Sequence, residues 1–203
     1  MKSILNRISS EIIEKKSLFI NYTIPIRSLD HFKQEYQAIK KEHPDANHHC
    51  YAYIIGSKQE HQKYYDDGEP SRTAGFPMLE VLLKQDLTDI LTVTVRYFGG
   101  TKLGAGGLVR AYSKSVSNTL QEAKFSFLKV YQIVEVTIDF DHIGSIEHFL
   151  HNDYTLIHTS YDEQVHYHVE LIEKDVKRFS SWVQDQTKGS ASISILRTIK
   201  RYE

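Results

Sequence analysis

Residues 90–116, ILTVTVRYFGGTKLGAGGLVRAYSKSV, join a strand pattern to a helix pattern through a run of glycines. Residues 90–98 are dense in β-branched side chains, which favour strands. Apolar side chains then recur every four residues from Leu108 to Leu120, which predicts a helix over 105–124. Half of the chain's ten glycines lie at this junction. They are Gly99, Gly100, Gly104, Gly106 and Gly107.

The residues before this segment predict further strands and helices in the N-terminal half. Ser28 is a suitable cap for a helix that would run to Glu42. Residues 48–56 predict a strand that ends at a glycine, and a second strand is expected over 61–65. The polar turn 66–75 then leads into an apolar helix pattern.

The residues after this segment predict the order β-α-β-β-α-β in the C-terminal half. Alternating apolar residues mark strands, and two of the strands form a hairpin around Asp162 and Glu163. This order is that of the split βαβ or ferredoxin-like arrangement. The sequence therefore predicts an α+β protein with two domains, residues 1–128 and 129–203.

The glycine-rich turn is a candidate anion-binding site. Backbone amides at a helix start attract anions, and glycine lets a phosphate approach the main chain. Cations accompany the glycines, with Arg96 on the entering strand, Lys102 in the turn and Arg110 in the helix. Neither a Walker loop nor the G-x-G-x-x-G spacing fits these residues. The alternative is a tight turn whose glycines only let the helix pack closely on the sheet.

The turn DDGEPSRTAG (66–75) is a second candidate site. Its polar residues are Asp66, Asp67, Glu69, Ser71 and Thr73. Three carboxylates can bind a hard cation such as Mg²⁺, or they can pair with nearby arginines. Ser71 or Thr73 can instead cap the following helix, whose positive end favours acidic neighbours. Capping and ion pairing are the favoured interpretation, and neither a metal nor another cofactor is expected.

His48, His49 and Cys50 are adjacent residues at the start of the predicted strand 48–56. Side chains of adjacent strand residues alternate between faces, so these three cannot all ligate one metal. A zinc site is therefore not expected. His49 remains a candidate general acid or base. With Asp67 it forms the best candidate pair for catalysis, if the protein is an enzyme.

Composition and charge narrow the classes of function. Residues 1–128 hold 17 Lys and Arg against 14 Asp and Glu, whereas residues 129–203 hold 8 against 12. Neither half has the strongly basic balance of a dedicated nucleic-acid domain, so RNA binding must rest on a local patch. The chain has one cysteine and no apolar run near the ~20 residues that span a bilayer. A cytoplasmic protein with no membrane or DNA partner is expected.

Three blocks of the sequence resemble the IMPACT/YigZ family. They are HHCYAY (48–53), DDGEPSRTAGFPML (66–79) and RYFGGTKLGAGGLVRAY (96–112). The resemblance implies a first domain like the second domain of small-subunit ribosomal protein five. It implies a second domain like the last domain of elongation factor G. Because both relatives work on the ribosome, the resemblance implies a role in translation or its regulation.

Two residues depart from the family pattern. Arg72 stands where relatives usually have glycine, and Phe76 stands where a basic residue is common. Arg72 is therefore expected to neutralise the carboxylates of the acidic turn.

Three functions follow from these observations. The first is a binding protein that engages the ribosome, RNA or a translation factor through the glycine-rich turn. The second is a small hydrolase-type enzyme acting on a phosphorylated or peptidyl substrate between the two turns. The third is an adaptor that docks proteins on the ferredoxin-like sheet. The sequence leaves the oligomeric state open.

Overall fold

The computed structural model describes the backbone of residues 1–203 and all side chains except those of residues 151 and 152. The chain divides into two compact units, Met1–Phe127 and Leu128–Glu203. The domain boundary expected from the sequence, between residues 128 and 129, lies one residue from this division. Both units combine sheet and helices, which confirms the α+β class.

The N-terminal unit is built on a five-stranded antiparallel sheet. The strands of the whole unit, in chain order, are β1 (Lys2–Ile4), β2 (Ile8–Glu14), β3 (Ser17–Pro25), β4 (His48–Ile55), β5 (His61–Tyr65) and β6 (Ile90–Tyr97). The sheet has the order β2-β3-β6-β4-β5, and β1 pairs instead with residues 125–127. Its helices are α1 (Leu29–Glu42), α2 (Gly75–Lys84) and α3 (Ala105–Gln121).

Helices cover both faces of this sheet. On one face, Ile39 of α1 packs with Tyr51 and Tyr53 of β4. On the other, Cys50 of β4 packs with residues of α2 and α3, including Tyr112. Alternate side chains of β4 therefore enter two separate cores, which is why the strand reads as a continuous apolar run.

Local signals in the sequence set the ends of α1. The Ser28 side chain accepts a hydrogen bond from the His31 amide at 3.1 Å, as an N-cap should. The predicted helix from Ser28 to Glu42 is confirmed. The expected strand over 61–65 is confirmed as well, as β5.

The C-terminal unit has the predicted βαββαβ order. Its elements are β7 (Phe125–Ile138), α4 (Ile143–Asp153), β8 (Thr155–Tyr161), β9 (Val165–Ile172), α5 (Val176–Gln186) and β10 (Ser192–Tyr202). The first three residues of β7 belong to the N-terminal unit. The antiparallel order β10-β7-β9-β8 is the ferredoxin-like arrangement. Its core holds alternate residues of β7 and β9 with Phe179 of α5. None of the helices that the structure describes is long and apolar enough to cross a membrane.

Candidate anion-binding site

Glycine is required in the turn between β6 and α3 for two different reasons. Gly100 and Gly104 have φ values of +81° and +75°, where side chains other than glycine are strained, yet a Cβ at either would meet no atom within 4 Å. Gly99 instead approaches another backbone closely. A Cβ there would lie 1.9 Å from the Lys16 carbonyl oxygen, and the Gly99 amide donates to the Ser17 hydroxyl at 3.1 Å. The turn therefore leaves free space at Gly100 and Gly104, whereas Gly99 packs against the β2–β3 hairpin.

The start of α3 presents free amides. Gly104 caps the helix without a side-chain hydrogen bond, and no acidic residue lies in the first turn of this fully described helix. The amides of Ala105, Gly106 and Gly107 precede the first intrahelical bond, which runs from the Leu108 amide to the Gly104 carbonyl at 2.9 Å. Such amides carry the positive end of the helix dipole.

Exposed cations surround this helix start. A Cβ on Gly106 would lie 3.7 Å from Nη1 of Arg110, so the guanidinium of Arg110 lies over the first turn. Lys102 is exposed within the turn itself. Neither Lys102 nor Arg110 makes an ion pair with a residue that the structure describes. Lys102, predicted in the turn, and Arg110, predicted in the helix, therefore both lie near the helix start.

A cavity of about 290 Å³ lies beside the same helix start. Lys15, Arg110 and Lys114 line it, together with Gly107 and with Glu14, which pairs with Lys114 at 2.7 Å. We call Lys15, Lys16, Lys102, Arg110 and Lys114 the basic surface. Its net charge is strongly positive, because Glu14 offsets only one of the five cations.

Sequence reasoning missed the contribution of Lys15 and Lys16. They form the two-residue turn of the β2–β3 hairpin, because Glu14 pairs with Ser17. Both have positive φ, +45° and +66°, as this turn type demands, but Asn-Gly is the usual occupant. Neither lysine is a typical hairpin-turn residue, so the sequence carries no signal for this turn, which the register of β2 on β3 creates.

Arg96 does not belong to the exposed site. It is 5 % exposed, and its Nη1 donates to Glu69 Oε1 at 2.6 Å. The guanidinium lies near the rings of Phe19 and Phe98. This position corrects the expectation that Arg96 meets phosphate, since the side chain neutralises a buried carboxylate of the acidic turn instead.

The acidic turn is held by structural interactions. Glu69 Oε1 also accepts from the Tyr112 hydroxyl at 2.8 Å, and burial raises the pKa of Tyr112 well above its ordinary value. Asp66 accepts from the amides of Ala74 and Gly75 at 3.1 and 2.8 Å and so caps α2 from a distance. Asp67 accepts from the His49 amide at 2.6 Å. No group of three or more metal-ligating side chains comes together in the described part of the chain.

Ser71 and Thr73 do not cap α2, contrary to one of the sequence-based alternatives. The cap residue is Ala74, which lacks a capping side chain. The Thr73 hydroxyl donates to the Pro70 carbonyl at 2.6 Å and so closes the turn on itself. Ser71 is exposed. The capping role expected of a hydroxyl belongs to the Asp66 carboxylate.

His49 and Asp67 are neighbours but do not form an exposed catalytic pair. His49 is 6 % exposed, and its Nδ1 lies 3.8 Å from Asp67 Oδ2, beyond hydrogen-bond distance. Its Nε2 hydrogen-bonds the His43 carbonyl at 3.0 Å. Burial lowers the pKa of His49, and burial raises the pKa of Cys50. The predicted hydrolase therefore gains no support from these groups.

Arg72 acts differently from the expectation as well. Its guanidinium lies over the Phe76 ring at 3.9 Å from the ring centre and does not pair with the carboxylates. Its φ is +63°, and its amide donates to Asp66 at 2.8 Å. The left-handed backbone explains why glycine suits this position, and the two departures from the family pattern contact each other.

We expect Arg72→Gly to be more stable than Arg72→Ala by about 1 kcal/mol. Both variants remove the same contact with Phe76, so the difference isolates the cost of φ +63°. Urea unfolding followed by far-UV circular dichroism measures it. Equal midpoints for the two variants would show that the turn relaxes out of the left-handed region.

Comparison with known proteins places this site in a family. A family model described as the Impact N-terminal domain matches residues 15–120, just over half of the chain. IMPACT family member YvyE of Bacillus subtilis (strain 168) is 42% identical over 184 residues, covering 90% of this chain and 85% of the relative. The chain belongs to the IMPACT family. The resemblance seen in the sequence is confirmed, and the matched range contains the whole basic surface.

Further IMPACT relatives and a solved structure extend over both units. IMPACT family member YigZ of Escherichia coli (strain K12) is 34% identical, with 88% of this chain and 89% of the relative covered. Residues 136–190 match a domain of unknown function, DUF1949. A solved structure described as "Crystal structure of an hypothetical protein" is 31% identical, covers 97% of each chain and has a TM-score of 0.62.

Proposed function

We propose that this IMPACT family protein binds RNA phosphates through the basic surface and acts in translation or its regulation. The observation that supports this most is the cavity beside α3, where Lys15, Arg110 and Lys114 lie with Gly107 of the first helical turn, a turn without a side-chain cap. Amides and cations converging on one small space are the arrangement that binds phosphate. The translational setting rests on the family resemblance, and the proposal includes a cytoplasmic location and binding to ribosomes.

Electrostatics favour a phosphate over a carboxylate-bearing protein as the ligand. A phosphate backbone offers repeated negative charges, and each one neutralised by Lys or Arg releases counterions, which stabilises the complex at low salt. The five cations of the basic surface come from two turns and one helix, so they can contact successive phosphates. The glycines at 104 and 106 let an anion approach the main chain without meeting a Cβ.

Co-sedimentation with ribosomal subunits across a salt series tests the proposal. The double variant Lys102→Ala/Arg110→Ala is expected to bind at least tenfold more weakly than the wild type, because two phosphate contacts are lost. The slope of log affinity against log salt should fall by about 0.7 for each single-stranded contact removed.

A matched control removes two cations elsewhere in the same unit. Lys41 at the end of α1 and Lys84 at the end of α2 are both exposed. Lys41→Ala/Lys84→Ala changes the net charge equally and is expected to keep at least half of the wild-type affinity. An equal loss in both double variants would mean that bulk charge, not the basic surface, drives binding. Undetectable wild-type binding at low salt would refute the proposal.

A further inference from the structure

The C-terminal unit contains a cavity of about 750 Å³ that the proposed RNA-binding surface does not use. Its lining comes from Tyr131 in the middle of β7, the start of β8, the end of β9, and the helices α4 and α5. Its volume falls in the range of roughly 300–1,000 Å³ that is typical of small-ligand sites. Four aromatic side chains line it: Tyr131, Phe149, Tyr154 and Trp182.

The aromatic wall is packed but still accessible. The rings of Phe149 and Trp182 stack with centroids 3.6 Å apart, and Tyr154 packs against Phe149 at 5.2 Å. All three side chains remain partly exposed. Aromatic ring faces carry negative potential, so a wall of this kind attracts cations, most strongly at tryptophan.

Carboxylates reinforce that preference. Asp153, Glu170 and Asp175 line the cavity against one cation, Arg178. Glu170 is compensated by Arg201, whose Nη1 donates to it at 2.7 Å. Asp175 precedes α5 but makes no capping hydrogen bond with its side chain. Neither Asp153 nor Asp175 pairs with a side chain among those described. Three carboxylates against Arg178 and Arg201 thus leave a net charge of −1 beside the aromatic wall, in a unit rich in acidic residues.

We propose that this cavity binds an organic cation, an alkylammonium or guanidinium group carried on a flexible chain. Cation–π attraction and the carboxylates of Asp153 and Asp175 act on the same charge. A nucleotide is disfavoured, because its phosphate would meet a lining in which the carboxylates outnumber Arg178. The cation can come from a Lys/Arg-rich segment of a partner protein or from a free polyamine, and both supply the same chemistry.

Trp182 gives a direct test because it is the only tryptophan of the chain. The full-length protein is titrated at low salt with a Lys/Arg-rich peptide, with spermidine and with AMP, while its fluorescence is followed. A saturable change is expected with a cation and not with AMP. Asp153→Asn/Asp175→Asn is expected to weaken cation binding at least tenfold. Asp185→Asn, an exposed α5 residue outside the cavity lining, is the matched control and should leave it unchanged.

Comparing the Lys/Arg-rich peptide with spermidine shows whether the cation comes from a partner protein or from a free polyamine. Peptide binding at least tenfold tighter than spermidine binding assigns the cavity to a basic protein segment, and the reverse order assigns it to a polyamine. Lys102→Ala/Arg110→Ala should bind the cation normally, so this result stands apart from the RNA test. The proposal is overturned if neither cation gives a saturable signal by fluorescence or calorimetry. Equal binding of AMP, or affinity unchanged in the double Asp variant, overturns it as well.

Discussion

Glu69→Ala is expected to lower the stability of the N-terminal unit by about 3–5 kcal/mol. The substitution leaves the Arg96 guanidinium buried without its counter-charge, and Nε of Arg96 already lacks a hydrogen-bond partner among the described residues. It also removes the acceptor of the Tyr112 hydroxyl. Hydrogen exchange of the β6 amides measures the effect in this unit, since the only tryptophan lies in the other.

Two controls show whether the buried charge is the cause. Tyr112→Phe deletes one hydrogen bond to the same carboxylate and is expected to cost only about 1–3 kcal/mol. Glu122→Ala removes an exposed carboxylate after α3 and should stay within about 0.5 kcal/mol of the wild type. If Glu69→Ala costs no more than Tyr112→Phe, the ion pair with Arg96 contributes little.

Lys15→Asn/Lys16→Gly is expected to raise stability while weakening RNA binding. Asn-Gly is the favoured pair for a two-residue hairpin turn, so relieving two strained lysines should stabilise the unit by about 1–2 kcal/mol. The same change removes two of the five cations of the basic surface. Hydrogen exchange and the salt-dependent affinity for ribosomal RNA, measured on one preparation, give both values.

The informative outcome is a gain in stability together with a loss of RNA affinity in the same variant. If Asn-Gly is more stable but binds RNA more weakly, the strained backbone at Lys15 and Lys16 is explained by the role of the two lysines in binding. Lys33→Asn/Lys41→Gly is the control, because it removes two exposed α1 cations outside the basic surface. It should keep at least half of the RNA affinity and lose stability, since Asn and Gly lower helix propensity. Undiminished RNA affinity after Lys15→Asn/Lys16→Gly would remove the hairpin from the site.

The elements that sequence reasoning located correctly depend on local signals. Ser28 caps α1 through its own neighbour His31, and the β9 hairpin follows Asp162 as its turn residues indicate. The strand–glycine–helix order around Gly104 is equally local. The ferredoxin-like order of the C-terminal unit could be predicted because the spacing of apolar residues differs between strands and helices and changes at each element.

The parts that were missed depend on pairing between distant residues. Arg96 looks like an exposed cation in the sequence, and only its contact with Glu69, 27 residues earlier, explains its burial. Strand β7 begins at Phe125 because Ile4 of β1, far away in the sequence, pairs with that residue. Lys15 carries no hairpin signal of its own, since the register of β2 on β3 creates the turn. Capping by Asp66 likewise spans eight residues to Ala74.

The most direct test of the anion site follows individual backbone amides by NMR. The ¹⁵N-labelled protein is titrated with a short single-stranded RNA, and inorganic phosphate serves as the minimal probe. Saturable shifts of the Ala105, Gly106 and Gly107 amides, suppressed by salt and absent in Lys102→Ala/Arg110→Ala, are the predicted result. RNA binding that leaves these three amides unperturbed would contradict the account and assign the phosphate contacts to another surface.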